Sequence, residues 1–172
     1  MSDNYKIEPL GKNHDRAAFS CGKESFDHYL KNQAGQAVGK NLAAVFVLTP
    51  DGKKIAGYYT LSAYAVKLDE IPEEIAKKLT RMREIPVALL GRLARSVEYQ
   101  RQGIGGILLV DALKRAFLNS AQVASWAVTV DAIDGDAVEF YERYAFIPFP
   151  NRANRLFLPM HTIQAMFREG LG

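Results

Sequence analysis

The stretch Gln100-Arg101-Gln102-Gly103-Ile104-Gly105-Gly106 offers chemistry from the backbone rather than from side chains. The run before it, 85–94, is apolar and β-type. In the run after it, 107–117, Ile107, Val110, Leu113 and Phe117 fall at helical spacing, with Asp111, Lys114 and Arg115 opposite. A glycine-rich turn from a buried strand into a helix gathers N–H groups that lack a carbonyl partner, at the end where the helix dipole favours an anion. Without a Cβ, glycine lets the main chain approach that anion closely. The stretch reads as a phosphate cradle. It is not a P-loop, which needs Gly-Lys-Ser/Thr at its end. Nor is it a dinucleotide fingerprint, whose third glycine is replaced by Leu108 and whose acidic residue about twenty positions on is missing.

The elements that must position this loop follow from patterning. Residues 5–10 read as an edge strand, and Ser25 as the cap of a helix over 26–34 whose Phe26, Tyr29, Leu30 and Gln33 share a face. A strand over 43–48, a hairpin turn at 50–53 and a long strand over 55–66 come next. Pro72 opens a short helix through Leu79. After the central strand, loop and helix come a strand over 124–131, a helix from Asp134 through Tyr144, two strands at 146–150 and 156–158, and a terminal helix over 161–167. This order indicates an α+β fold around a sheet of mixed direction.

With 172 residues and 48% hydrophobic content, the chain suits a single domain spanning 1–172 with a proper core. A single cysteine excludes an internal disulfide framework, and neither a signal pattern nor a membrane-length apolar run is present, so a cytoplasmic protein is expected. The net charge of +3 permits an RNA partner without demanding one.

Gln100, Gly103 and Gly105 after a strand ending Arg92-Leu93-Ala94 resemble the acetyl-CoA pyrophosphate loop of the GNAT N-acetyltransferase superfamily. Four further segments narrow the resemblance. They are Phe19-x-Cys21-Gly22 with Phe26-Asp27-x-Tyr29-Leu30, Gly57-Tyr58-Tyr59-Thr60-Leu61-Ser62, Ile85-Pro86-Val87 leading into Leu90-Gly91-Arg92-Leu93-Ala94, and Phe140-Tyr141-Glu142-x-x-x-Phe146. Together they resemble the acetyltransferase toxins of bacterial toxin–antitoxin pairs. The resemblance implies a GNAT fold: a mixed, mostly antiparallel sheet flanked by helices, with a splayed central strand pair that binds acetyl-CoA. It implies acetylation of the α-amine of the amino acid on charged tRNA, which blocks translation, and neutralisation by a small ribbon-helix-helix antitoxin. A homodimer is compatible with it, and no metal is implied. Two departures from the family pattern are visible. Ala145 stands where glycine is usual, which bears on stability. Arg95 and Ser96 stand where an apolar residue and an acid are usual, which puts a positive charge near the cofactor or substrate mouth.

The resemblance makes Tyr141 the donor of the proton that the leaving thiolate needs. With reference values near ~10 for tyrosine and ~8.5 for a thiol, that transfer is uphill by only ~2 kcal/mol. The plain alternative is that Tyr141 packs in the core beside Phe140. By the same resemblance, backbone groups of Leu93, Ala94 and Arg95 bind the pantetheine arm as an added strand, and Arg101, Gln102, Gly103, Ile104, Gly105 and Gly106, with Gln100, hold the pyrophosphate. Ile104 and Ile107 are expected to face the core. No general base stands out: His14, His28 and His161 lie in segments remote from the loop and suit surface or capping roles. A lysine amine near ~10.4 is almost wholly charged at pH 7, whereas an α-amine near ~7.7–8.0 is neutral in about a tenth to a sixth of molecules. A site without a strong base therefore suits an aminoacyl ester.

Basic residues available to RNA are Lys77, Lys78, Arg81 and Arg83 before the central strand, with Lys31, Lys40, Arg92 and Arg95 elsewhere; a solvated face is the plain reading of such clusters. Arg92 differs, since it sits in an apolar strand and must either pair with a carboxylate or face a functional cleft. Two rivals share the pattern: an ordinary GNAT enzyme acetylating a small amine or a protein N-terminus, and a non-catalytic domain that only binds CoA or RNA.

Overall fold

The computed structural model describes residues 4–79 and 82–170; Arg81 lies outside the described residues. Seven strands, β1 (Lys6–Pro9), β2 (Ala44–Thr49), β3 (Gly57–Lys67), β4 (Glu84–Arg95), β5 (Ala127–Asp131), β6 (Ile147–Phe149) and β7 (Arg152–Pro159), form one sheet in the order β1-β2-β3-β4-β5-β7-β6. The ladders β1/β2, β2/β3, β5/β7 and β6/β7 are antiparallel, and β4/β5 is parallel, joining 87–90 to 127–130. Helices α1 (Glu24–Asn32), α2 (Ala34–Gly39), α3 (Glu73–Ala76), α4 (Ile104–Asn119), α5 (Gly135–Arg143) and α6 (Met160–Arg168) complete the α+β fold. The chain divides into two compact units: Met1–Ser62 with Gly91–Ala112, and Ala63–Leu90 with Leu113–Gly172.

The first unit is built on an aromatic core in which Phe19, Tyr29, Leu30, Val45, Val47, Tyr58 and Ala94 are buried together. Alternation along β3 separates two faces. Tyr58 belongs to the α1 side, where its hydroxyl donates to the Phe26 carbonyl at 2.7 Å. Gly57 and Tyr59 belong to the α4 side. A Cβ on Gly57 would lie 2.7 Å from Leu108 Cδ1 and 2.9 Å from the Ala94 carbonyl oxygen, so only glycine allows α4 to seat this closely.

Three expectations are corrected in this unit. Ser25 does not cap α1: the helix starts at Glu24 after Lys23, with no side-chain cap, and Asp27 accepts the Cys21 N–H at 2.9 Å to close the preceding turn. It also ends at Asn32, and Gln33 is exposed rather than on the shared face. Ile107 does not face the core; it is 39% exposed. Because α4 begins three residues earlier than its apolar spacing indicates, its buried stripe runs through Ile104, Leu108, Leu109 and Ala112 and continues in Leu113 and Ala116.

The second unit centres on Val66, Ile71, Ile85, Val87, Ala127, Phe149 and Phe157, with Trp126 packed against them. The expected helix from Pro72 to Leu79 is a single turn, α3, preceded by a 3₁₀ turn over Leu68–Glu70. Asp134 caps α5 as its position indicates, accepting the Ala137 N–H at 2.9 Å.

Candidate active site

In the first unit, β4 leads through Ser96 and the 3₁₀ turn Val97–Tyr99 into the 100–106 loop. Ser96 is buried; its N–H donates to the Ala56 carbonyl at 2.8 Å and its hydroxyl accepts the Glu98 N–H at 3.3 Å. The loop is therefore fixed where it leaves the sheet. Arg101 (φ 62°) and Gly103 (φ 72°) are both left-handed, which curls successive N–H groups toward one side and forms an anion-binding concavity. Gln100, Arg101, Gln102 and Gly103 are exposed, Gly105 and Gly106 half-buried, and Ile104 fully buried as the plug that anchors the helix start. The Tyr5 hydroxyl donates to Gln102 Oε1 at 2.6 Å, tying the loop to the chain's start. The first turn of α4 follows at once, so dipole and curled backbone act together. These residues fit a pyrophosphate.

Leu93 and Arg95 are half-buried and Ala94 buried at the end of β4. Arg95 Nε is buried without a hydrogen-bond partner. The Arg92 guanidinium sits over the Tyr29 ring, its Cζ 3.6 Å from the centroid, while the Arg92 backbone N–H donates to Thr60 Oγ1 at 3.1 Å. No carboxylate pairs with it among the described residues. Lys31 at the end of α1 and Lys40 after α2 are exposed.

Tyr141 belongs to the second unit. It is 5% exposed, on the buried side of α5, with its ring 5.2 Å from Phe140 and 5.3 Å from Phe146. The helix ends in a left-handed closure: the Ala145 N–H donates to the Glu142 carbonyl at 3.0 Å and the Phe146 N–H to the Tyr141 carbonyl at 3.2 Å, with Ala145 at φ 72°. This 6→1 and 5→2 pattern carries its usual apolar contact, here Phe146 on Tyr141, so the helix terminus itself fixes the tyrosine ring. Burial, and secondarily the negative charge of Asp131, push the Tyr141 hydroxyl well above the usual tyrosine range. Raised in this way, the hydroxyl keeps its proton at neutral pH.

Contacts that patterning did not predict complete both units. In the first, Tyr29 stacks on Tyr58 with centroids 6.4 Å apart and planes 9° apart, and Phe19 meets Tyr58 edge-on at 5.5 Å. In the second, Arg155 is 8% exposed and holds Asp131 with two bonds of 2.7 and 3.1 Å and the Tyr64 hydroxyl with a third of 3.0 Å. The signal for this cluster was the cross-strand register, which sets Asp131 opposite Arg155. His28 and His161 are exposed. His14 is buried and caps a turn, its Nδ1 accepting the Gly11 N–H at 2.9 Å and its Nε2 2.7 Å from Glu8 Oε2. Among the described residues no group of acids, histidines and cysteines could hold a metal ion, and no helix is long and apolar enough to cross a membrane.

A curled loop opening a helix off the end of β4, in a mixed sheet, defines an acyl-CoA-type acetyltransferase. Residues 13–146 match the model of the GNAT acetyltransferase family, and the chain belongs to that family. A probable toxin TacT from Sinorhizobium fredii is 32% identical over 93% of this chain and 93% of its own. The structure of AtaT complexed with acetyl-methionyl-tRNAfMet is 27% identical, covers 95% of this chain and 99% of that one, and superposes with a TM-score of 0.88. A tyrosine-to-phenylalanine mutant of AtaT, bound to acetyl-CoA and the C-terminus of the antitoxin AtaR, is 27% identical over 96% and 99% of the two chains, with a TM-score of 0.80.

Proposed function

We propose that this chain acts as one domain in the cytoplasm, as a toxin that moves the acetyl group of acetyl-CoA to the α-amine of the amino acid on charged tRNA and so stops translation. The likeness to AtaT over nearly the full length of both chains carries the reading, since that protein is seen with an acetylated aminoacyl-tRNA. The backbone of 101–106, with Gln100, holds the pyrophosphate, and the backbone of Leu93, Ala94 and Arg95 aligns the pantetheine arm. Arg92, Lys31 and Lys40 serve the RNA. Attack by the neutral amine forms the amide C–N bond and breaks the thioester C–S bond, whose electron pair stays on sulfur. Tyr141 gives that sulfur its proton and regains one from solvent, into which the amine has released its own. No strong base is needed, because an ester-linked α-amine is partly neutral at pH 7. By the likeness to AtaT, seen bound to the C-terminus of the antitoxin AtaR, the partner that silences the chain is an antitoxin that binds through its C-terminal segment; the sequence resemblance makes that antitoxin a small ribbon-helix-helix protein, and a homodimer is compatible with it.

Mass spectrometry of charged tRNA after incubation with the protein and acetyl-CoA tests the reading. The expected product is an N-acetylated aminoacyl ester on tRNA. Acetylation of free amines or peptide N-termini with charged tRNA untouched would replace it by an ordinary GNAT activity.

A further inference from the structure

Arg92 is a half-buried cation that the protein leaves without an anion. Its guanidinium lies 3.6 Å from the Tyr29 centroid, at the end of a column formed by Phe19, Tyr58 and Tyr29. Tyr29 is 6% exposed and Tyr58 fully buried, so the column is rigid. Asp27, on the helix that carries Tyr29, is turned to the Cys21 N–H instead. No described residue gives the guanidinium a hydrogen bond or an ion pair. Burying part of a guanidinium is unfavourable, and a ring face alone offsets little of that. The N–H fork matches a two-oxygen anion, and the Tyr29 ring beneath it holds its position.

The cofactor's pyrophosphate is not that anion. Arg92 packs on the α1 face of β3 and β4 with Tyr29 and Tyr58, whereas α4, which the pyrophosphate loop opens, seats on the opposite face against Gly57. The loop has its own curled N–H groups. We infer that Arg92, seated over Tyr29, grips a backbone phosphate of the acceptor RNA. This rests on charged tRNA being the substrate, and it adds the residue and the RNA group that it holds.

The test measures steady-state kinetics on charged tRNA and anisotropy of a short single-stranded RNA oligonucleotide, both over a salt series, with calorimetric acetyl-CoA binding as control. Arg92→Met is expected to raise KM for charged tRNA about ten- to a hundredfold, with the loss falling on KM rather than kcat and acetyl-CoA affinity retained. The log–log salt slope of oligonucleotide binding should fall by about 0.7–1, the signature of one lost phosphate contact. Arg92→Lys should keep the slope but recover only part of the affinity, because it lacks the fork. Tyr29→Leu should weaken binding, and Tyr29→Phe should restore it. An unchanged salt slope in Arg92→Met, or a loss of acetyl-CoA affinity instead, overturns the inference. A wild type that acetylates charged tRNA while Arg92→Met matches it overturns this inference alone. Arg92-dependent salt-sensitive oligonucleotide binding without tRNA acetylation would sustain the phosphate contact and sink the proposed reaction.

Discussion

Arg92 and Arg155 both lie against a tyrosine ring, yet the protein treats them differently. Arg155, with Tyr64 at 5.1 Å, is closed: Asp131 takes two of its N–H groups and the Tyr64 hydroxyl a third. Arg92, on Tyr29, is open. A buried cation whose anion comes from its own chain stabilises the fold, and its charge is spent internally. A cation packed as carefully but given no anion has its stacking set by the fold and its counter-charge left to a ligand. The units as wholes show the same contrast. The second holds a buried tyrosine hydroxyl whose ring is locked by its own helix end. The first presents curled amides and a bare guanidinium, both suited to phosphate.

The largest expected effect tests the second unit's donor. Tyr141→Phe should lower kcat by roughly 10²–10⁴-fold and leave acetyl-CoA affinity near normal, since the lost bond strengthens only in the transition state. Turnover at the wild-type rate would remove Tyr141 from the mechanism. Next, Gly105→Val should crowd the amide cradle and abolish the rise in melting temperature that acetyl-CoA produces, a rise worth about 2.7 kcal/mol at a hundredfold excess over Kd. A full thermal shift in that variant would show the cofactor lies elsewhere.

The two arginines themselves separate in a stability measurement. Asp131→Ala should destabilise by about 2 kcal/mol, the low end for a broken charge pair, because the Asp131 side chain is 45% exposed. Arg92→Met should cost under ~1 kcal/mol, the ring contact alone. Equal losses in denaturant titrations would erase the distinction between closed and open. Ala145→Gly should stabilise by up to ~1 kcal/mol, relief of left-handed strain outweighing the added freedom of the unfolded chain. A lower denaturation midpoint would contradict this. The smallest effect is alkaline. Tyr141 and Tyr58 are both raised, each mainly by burial. Their contribution is full below about pH 10, the unfolded value, and is lost as pH rises from there toward the folded values. Tyr141→Phe should flatten the fall in melting temperature above pH 10, and an unchanged slope would show that its proton is not retained by folding.

Much of this was legible from local pattern. The loop and the cap at Asp134 are encoded within a few residues, and the strands emerged to within a few residues at each end. Ala145 stands where glycine is usual, and the structure gives the reason: its φ of 72° is left-handed at the helix end. What pattern missed depends on phase or on distant pairing. The α4 stripe was set from Ile107, although Ile104 already lies in the first turn and shifts every later position around the helix. Ser25 was the right residue type at the wrong place: it lies inside the first turn of α1, past the cap position at Lys23, and Asp27 closes the preceding turn. Arg92 was recognised as anomalous, but its seat on Tyr29 joins positions 29 and 92, and no local rule predicts that. Arg155 was overlooked because its partner sits on another strand, visible only once the β5/β7 register is known.

The contact at Gly57 has a consequence for precision. Backbone and helix meet there with no side chain between them to absorb error, the nearest groups being Leu108 Cδ1, the Ala94 carbonyl oxygen and Ile104 Cγ2. That makes Gly57 a datum surface, in the machinist's sense: the height of α4 above the strands is set by hard contact rather than by a compressible cushion. Ile104 is both part of this contact and the first residue of the helix, so a displacement imposed at Gly57 is delivered directly to the amides beside it. Even a single added methyl would therefore act as a shim under the phosphate cradle.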